Sequence, residues 1–563
     1  RGRMKRSTIL MLVLLLVVAF LVVYPLFMIF YGSFKGGPPY SAQPFTLKGY
    51  TDAFGRLATY FTLLTTFWLG AVRALLAIAV AVFLAWVVTR TDTPYKKILE
   101  VTVWIQFFLP YQPIIMAWIL LLSPKTGIIN VWLMRTFHLS SAPFDIYTYG
   151  GIIWVSTIQW ASVMFILITP AFRGMDAALE ESSRISGANR FTTLRRITLP
   201  ILAPAILAAL TVGFIRIMES FETELFLGYS KGIRVYTTRV YNLIYESPPN
   251  YPEGMALSAA FLVVIFGLIY MNQRLLGKRQ YVTISGRGYA TRPTPLGRWK
   301  YVTLGLVVIY FLVGVIIPLT GLTMGTFMRL FGIMVENPWT TKHWVGVFKD
   351  PLFYSSLKNS IFIGLATATV GMILYAFISY IITRTKFAGR HALDYMTWLP
   401  WGVPGMVISL GFLWAYVGGI PLPFTLYGTI YLIVLVLTVR DLPFGVRVMN
   451  STMVQVGNEL EESSRVLGAS WLYTFRKIIA PLITPAFIAT WIIVFVTAIK
   501  SLGTVLFLVS TKTRPLSVLM FEYWMGGGFA ERALVVGIIE TFLVLALAIG
   551  ARMLGAKQGV AHS

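Results

Sequence analysis

The stretch EESSRISGANRFTTLRRITLP at 180–200 recurs as EESSRVLGASWLYTFRKIIAP at 461–481, displaced by 281 positions. In each copy a pair of carboxylates, Glu180 with Glu181 and Glu461 with Glu462, opens a helical stretch, where the positive end of the helix dipole favours them. Small residues follow, Ser182 with Ser183 and Ser463 with Ser464, and leave room for another chain to approach. Gly187 and Gly468 then permit a sharp turn, and an apolar and basic stretch runs on to Pro200 and Pro481. The spacing predicts a short helix-turn-helix lever, built twice.

Both copies sit between long apolar runs. Of 563 residues, 57% are hydrophobic and 12% charged, about half the charged share of a soluble domain. Residues 7–34 carry no charged side chain, and a helix of that length exceeds the roughly 30 Å of hydrocarbon in a bilayer. This run is too long for the core of a cleaved leader and ends in aromatics, so a retained anchor is expected. Further spans are expected near 61–88, 98–122, 150–170, 198–228, 254–273, 301–328, 357–382, 392–417, 424–439, 479–510 and 533–551, twelve in all. The expected fold is all-α and polytopic.

Charge sets the expected orientation. With the N-terminus in the cytoplasm, the inside segments hold 29 of the 47 Lys and Arg, which places both termini and both levers inside. The same asymmetry accounts for the net charge of +25 without nucleic acid, because no basic-aromatic soluble module remains to bind it. The chain has no cysteine and only four histidines, which excludes disulfide scaffolds, thiolate zinc sites and histidine-rich metal cages.

A second repeat supports the first. WVVTRT at 86–91 returns as YIITRT at 380–385, and Trp104 and Pro110 return as Trp398 and Pro404, all displaced by 294. Residues 1–273 and 301–563 are therefore read as two six-span repeats, joined by a basic Gly- and Pro-containing cytoplasmic linker at 274–300. Six is even, so both copies enter from the same side and are parallel, with a path expected at their interface.

The lever resembles the signature of the membrane subunits of binding-protein-dependent ATP-binding-cassette importers: Glu-Ala-Ala, three residues, Gly, nine residues, then Ile-x-Leu-Pro. Glu181, Gly187, Ile197, Leu199 and Pro200 match at every spacing, as do Glu462, Gly468, Ile478 and Pro481. The departures are Ser-Ser for Ala-Ala in both copies and Ala480 for Leu. The resemblance implies the type I importer permease fold in a bacterial inner membrane. It also implies coupling helices at Glu180–Ser183 with Gly187 and Pro200, and at Glu461–Ser464 with Gly468 and Pro481. Each would dock one of two separate ATPase subunits carrying ATP and Mg, with an extracytoplasmic solute-binding protein on the other face. The chain itself lacks GxxxxGK[ST], so no catalytic residue, cofactor or metal is assigned to it, and it is expected not to be an enzyme.

Substrate is less legible. RIMESFETELFLG at 216–228 gathers Arg216, Glu219, Glu222 and Glu224, while the equivalent TAIKSLGTVLFLVS carries Lys500 where Glu219 would be. Such groups are costly in a membrane unless paired or wetted. Glu219 and Lys500 either pair across the axis between the halves, line a path for a cation or its chelate together with Arg216 and Glu222, or sit at the wet end of the span. Arg73 and Glu540, which have no charged equivalents, are expected to pair within their own bundles. Trp104, Trp118, Trp398 and Trp414 are read as interfacial belts or packing. Outer segments 229–253, with Tyr236, Tyr241, Tyr245 and Pro248, and 329–356 are the expected docking surface for a binding protein. Fused double permeases of this length are most similar to ferric-iron importers, with thiamine and phosphonate importers as relatives. A gradient-driven twelve-span secondary transporter is the alternative from another class, but it gives no reason for two identical levers.

Overall fold

A computed structural model of the chain describes residues 6–276, 293–418 and 425–559. The linker expected at 274–300 lies largely outside the described residues. Hydrocarbon offers no hydrogen bonds to a backbone, so a chain this apolar must satisfy its peptide groups within helices. Among the described residues, the regular structure is helical, with four isolated β-bridges besides.

The principal helices of the two repeats match in length and order. Leu57–Arg90 and Pro351–Arg384 are both 34 residues long. Tyr149–Gly174 pairs with Ile430–Gln455, and Leu199–Met218 with Ala480–Ile499. Even the π-helical turns at Leu194–Thr198 and Phe475–Ile479 recur.

Nine described helices are long and apolar enough to cross a membrane, and two bent pairs raise the number to eleven. The twelfth expected span, 424–439, corresponds to Ile430–Gln455, which carries Arg440, Asp441 and Arg447. Two spans differ from expectation in being broken: Lys96–Phe108 meets Tyr111–Leu122 at 97°, and Arg390–Gly402 meets Gly405–Val417 at 111°. Pro110 and Pro404 stand at the breaks, where a missing N–H and a fixed φ end one helix and start the next. The fifth span of each repeat is shorter than expected, ending at Met218 and Ile499, with the charged Glu219 and Lys500 as C-caps.

The chain forms two compact units that divide it differently from the sequence repeats. One comprises Arg1–Arg56, Arg239–Leu262 and His343–Ser563; the other comprises Leu57–Thr238 and Val263–Lys342. Each repeat's first helix thus packs on the core of the other repeat. In the first unit, Arg6–Ser33 lies against Gly405–Leu413 so closely that a Cβ on Gly411 would sit 2.6 Å from the Pro25 carbonyl oxygen. In the second, Ile317–Phe327 packs on Tyr111–Leu122, with Gly321 against Leu121. The core of this second unit runs through Ala74, Ala77, Ala81, Leu84, Phe165 and Ile168, small residues on one helix meeting large ones on the next.

Close helix approach predicts a sensitive position in the first unit. A Cβ on Gly445 would fall 1.9 Å from the Tyr375 ring, whose hydroxyl donates to the Thr438 carbonyl at 2.6 Å and cannot easily swing away. Gly445→Ala should cost about 1–3 kcal/mol through overpacking. Thermal unfolding in detergent checks it, and an unchanged midpoint would show that the contact is not there.

Candidate functional site: the duplicated levers and the buried charges

The first lever starts at Asp176, whose side chain caps Ala177–Ile185 by accepting from Ala178 N at 2.9 Å. Its two glutamates have different surroundings. Glu180 is turned inward and buried: Arg90, at the end of Leu57–Arg90, donates from Nη2 and Nε to Glu180 Oε2 at 2.7 and 3.2 Å. Thr198 donates to the other oxygen, Oε1, at 2.6 Å, while Arg90 Nη1 reaches the Met175 carbonyl at 3.0 Å. Glu181 is only half-buried and Ser182 is exposed. Ser183 instead shares a 3.0 Å hydrogen bond with Thr193, tying the two arms of the lever together.

Gly187 makes the turn at φ +86°, a left-handed conformation that costs an L-residue about 1–2 kcal/mol. Asn189 then caps the second arm by accepting from Thr192 N, and Pro200 stands in the first turn of Leu199–Met218, where its missing N–H does no harm. Arg190 donates to the Leu296 carbonyl at 2.8 Å, so the end of the linker is fastened to this lever.

The second lever repeats the geometry. Asn458–Val466 carries a buried Glu461, which accepts from the Tyr380 hydroxyl at 2.9 Å, while Arg384 donates to the Met453 and Val456 carbonyls. Glu462 and Ser463 are exposed, Ser464 bonds Thr474 at 2.8 Å, Gly468 turns at φ +80° and Pro481 opens Ala480–Ile499. Both levers expose apolar side chains at the bend: Ile185 at 88%, Val466 at 86% and Leu467 at 87%. Aliphatic groups that bare, beside carboxylates, fit a surface that another protein covers. The clamps Arg90 and Tyr380 were not singled out from sequence, although both lie in the repeated WVVTRT and YIITRT segments.

The charged cluster after the fifth span divides into separate pairs. Arg73 and Glu224, 1% and 0% exposed, form an ion pair at 2.5 Å, with Ser156 bonded to the guanidinium and Ser220 to the carboxylate. Arg73 therefore pairs within its bundle, as expected. Arg216 pairs with Glu219 at 3.1 Å, and Glu222 lies in electrostatic range of Tyr111 at the break of the third span. In the other unit Lys500 has Glu540, Arg440 and Asp441 as its charged neighbours. Among the described residues, no three of His, Cys, Asp and Glu are placed to hold a metal ion.

Two expected surface features are inside. Trp118 and Trp414 are buried, which leaves packing as their role. Tyr236 and Tyr241 are also buried, so of the tyrosines named for the docking surface only Tyr245 is well exposed. On the neighbouring helix Leu516–Met525, partial burial raises the Glu522 carboxyl above its ordinary range, while Arg514 at 2.8 Å pulls it back.

Two copies of a bent lever on a doubled bundle of spans are what the resemblance to importer membrane components implies. The family of inner membrane components of binding-protein-dependent transport systems matches twice, over residues 76–279 and 368–557, and the chain belongs to that family. It is a fused double permease subunit of an ABC importer, a multi-pass inner membrane protein, and this class takes the place of the gradient-driven alternative. A Haemophilus influenzae protein named as a ferric transport system permease is 27% identical over 90% of this chain and 78% of its own length. The ferric transport system permease protein of Actinobacillus pleuropneumoniae is 25% identical over 90% of this chain and 72% of its own. A chain of a bacterial ABC transporter that imports alginate is 19% identical, with a TM-score of 0.40, covering 46% of this chain and 94% of that one.

The Arg73–Glu224 pair predicts a signature in stability. Arg73→Met leaves a buried carboxylate uncompensated and should cost roughly 3–5 kcal/mol, whereas adding Glu224→Met should recover much of that loss. A double-mutant cycle on thermal unfolding measures the coupling; additive effects would mean that the two side chains do not hold each other.

Proposed function

We propose that this chain is the membrane subunit of an ATP-driven ferric-iron importer. In this reading both levers face the cytoplasm and each seats one of two ATPase subunits. A solute-binding protein delivers iron, as the ion or its chelate, to the opposite face. The observation that carries the substrate is the pair of ferric-transport relatives, each matching 90% of the chain and so both repeats. The exposed Ile185, Val466 and Leu467 support the docking. The excess of basic residues on the lever side supports the orientation, with both termini cytoplasmic.

A carboxylate lining suits a cation in transit, because groups spread along a path attract the ion without caging it. Tight multidentate binding would slow release. Glu219 and Glu222, both partly exposed, are the path-lining candidates; Glu224 is fully buried against Arg73. Arg216 balances Glu219 at 3.1 Å, and Lys500, set among Glu540, Arg440 and Asp441, is the path candidate of the second repeat.

Replacing Glu181 and Glu462 together by Lys should abolish uptake while leaving the chain inserted and folded; undiminished uptake in that double variant refutes the coupling role. For the substrate, Glu219→Gln with Glu222→Gln should reduce iron uptake roughly tenfold or more. Uptake of labelled ferric iron by cells carrying the cognate binding protein reads this. Normal rates would return both residues to a structural role.

A further inference from the structure

Glu180 is a junction between three elements. It belongs to the lever Ala177–Ile185, its Oε2 is held by Arg90 from the end of Leu57–Arg90, and its Oε1 by Thr198 at the foot of Leu199–Met218. The two spans that meet there are joined again farther along. Arg73 lies seventeen residues before Arg90 on the same helix, about 25 Å away at 1.5 Å per residue. There it holds Glu224, six residues beyond the end of Leu199–Met218, with Ser220 bonded to the same carboxylate.

We propose that Leu57–Arg90 and Leu199–Met218 form a closed frame, pinned at one end by Arg90–Glu180–Thr198 and at the other by Arg73–Glu224. Displacement of the first lever then moves the charged segment 219–224 as part of one body. Arg90 and Arg73 are positioning residues here. The inference rests on the docking of ATPase subunits at the levers proposed above.

Physically, both pins are buried. A guanidinium–carboxylate pair out of water has no solvated alternative to slip into, so it transmits displacement where an exposed pair would exchange partners with water. Packing beside the far pin is close: Gly70, three residues before Arg73, lies against Met218 and Phe214, with a Cβ there 3.2 Å from Met218 Cγ. The second repeat cannot build the far pin, because Arg73 and Glu224 correspond to Thr367 and Val505. Its lever shares the turn geometry but not the frame, so the two halves of the permease are mechanically unequal.

The test uses the whole transporter, with its ATPase subunits and binding protein, in proteoliposomes. If no ATPase subunits accompany the wild-type chain, the docking reading fails before this inference is reached. With the complex in hand, Arg90→Gln should keep the ATPase subunits bound but lower substrate imported per ATP roughly tenfold. The reversed pair Arg90→Glu with Glu180→Arg should restore it. An unchanged ratio in Arg90→Gln, or a reversed pair as poor as the single variant, overturns the frame.

A second measurement needs no disruptive variant. Because the chain has no cysteine of its own, spin labels can be placed at the exposed Leu64 and Leu179 through Leu64→Cys and Leu179→Cys. Their separation should stay constant between nucleotide-free and ATP-bound transporter. A change larger than one helical turn, about 5.4 Å, overturns the proposal.

Discussion

Inside a bilayer neither a peptide group nor a charge finds water, and that single fact orders this protein. Backbone polar groups close on themselves in helices, and ionised side chains persist within the spans only where another charge or a hydroxyl meets them. Arg73 with Glu224 and Arg216 with Glu219 meet the condition directly. Arg440 and Asp441 meet it through Ser501 and Thr497, at 2.8 and 3.0 Å. Apart from the i,i+3 pair Arg216–Glu219, these contacts also fix which segments lie side by side, so the requirement for solvation doubles as a requirement for register.

The levers obey a related rule at the membrane's edge. Two adjacent glutamates begin each one, and their separation into an inward and an outward carboxylate follows from helix geometry. Successive residues on a helix point about 100° apart, so when one is turned into the bundle the next lies at its flank, nearer the outside. The inward member needs a buried donor, which Arg90 and Tyr380 supply from corresponding spans. Glu181 and Glu462 are thereby left for whatever approaches from outside, beside apolar side chains that have no cover of their own.

Much of this was legible in the sequence because repetition removes chance. A lever printed twice at the same spacing identified its two glycines, its arms and its class before any coordinate. What escaped was whatever depends on partners far away in the chain. The breaks at Pro110 and Pro404 lie in continuous apolar runs, and a hydropathy pattern does not distinguish a proline that bends a span from one it tolerates. The exchange of first helices escaped for a similar reason: an evenly apolar helix such as Arg6–Ser33 carries no mark of the surface it will meet. Glu180 and Glu181 could not be told apart until Arg90, ninety residues earlier, was seen beside one of them. The recurring TRT carried the signal, but only as similarity.

Duplication followed by divergence explains why the two halves share backbones more faithfully than charges. The lengths of the principal helices, the π-turn before each fifth span and the left-handed glycine of each lever coincide because they are set by local sequence and by the thickness to be crossed. Charges can drift as long as each remains satisfied, and the equivalent serines show how. Ser220 donates to Glu224, whereas its counterpart Ser501 accepts from Arg440, whose own counterpart is Gln159. A hydroxyl serves as donor or acceptor with little change in geometry. The same scaffold could therefore carry an acidic group in one half and a basic one at the equivalent place in the other without refolding.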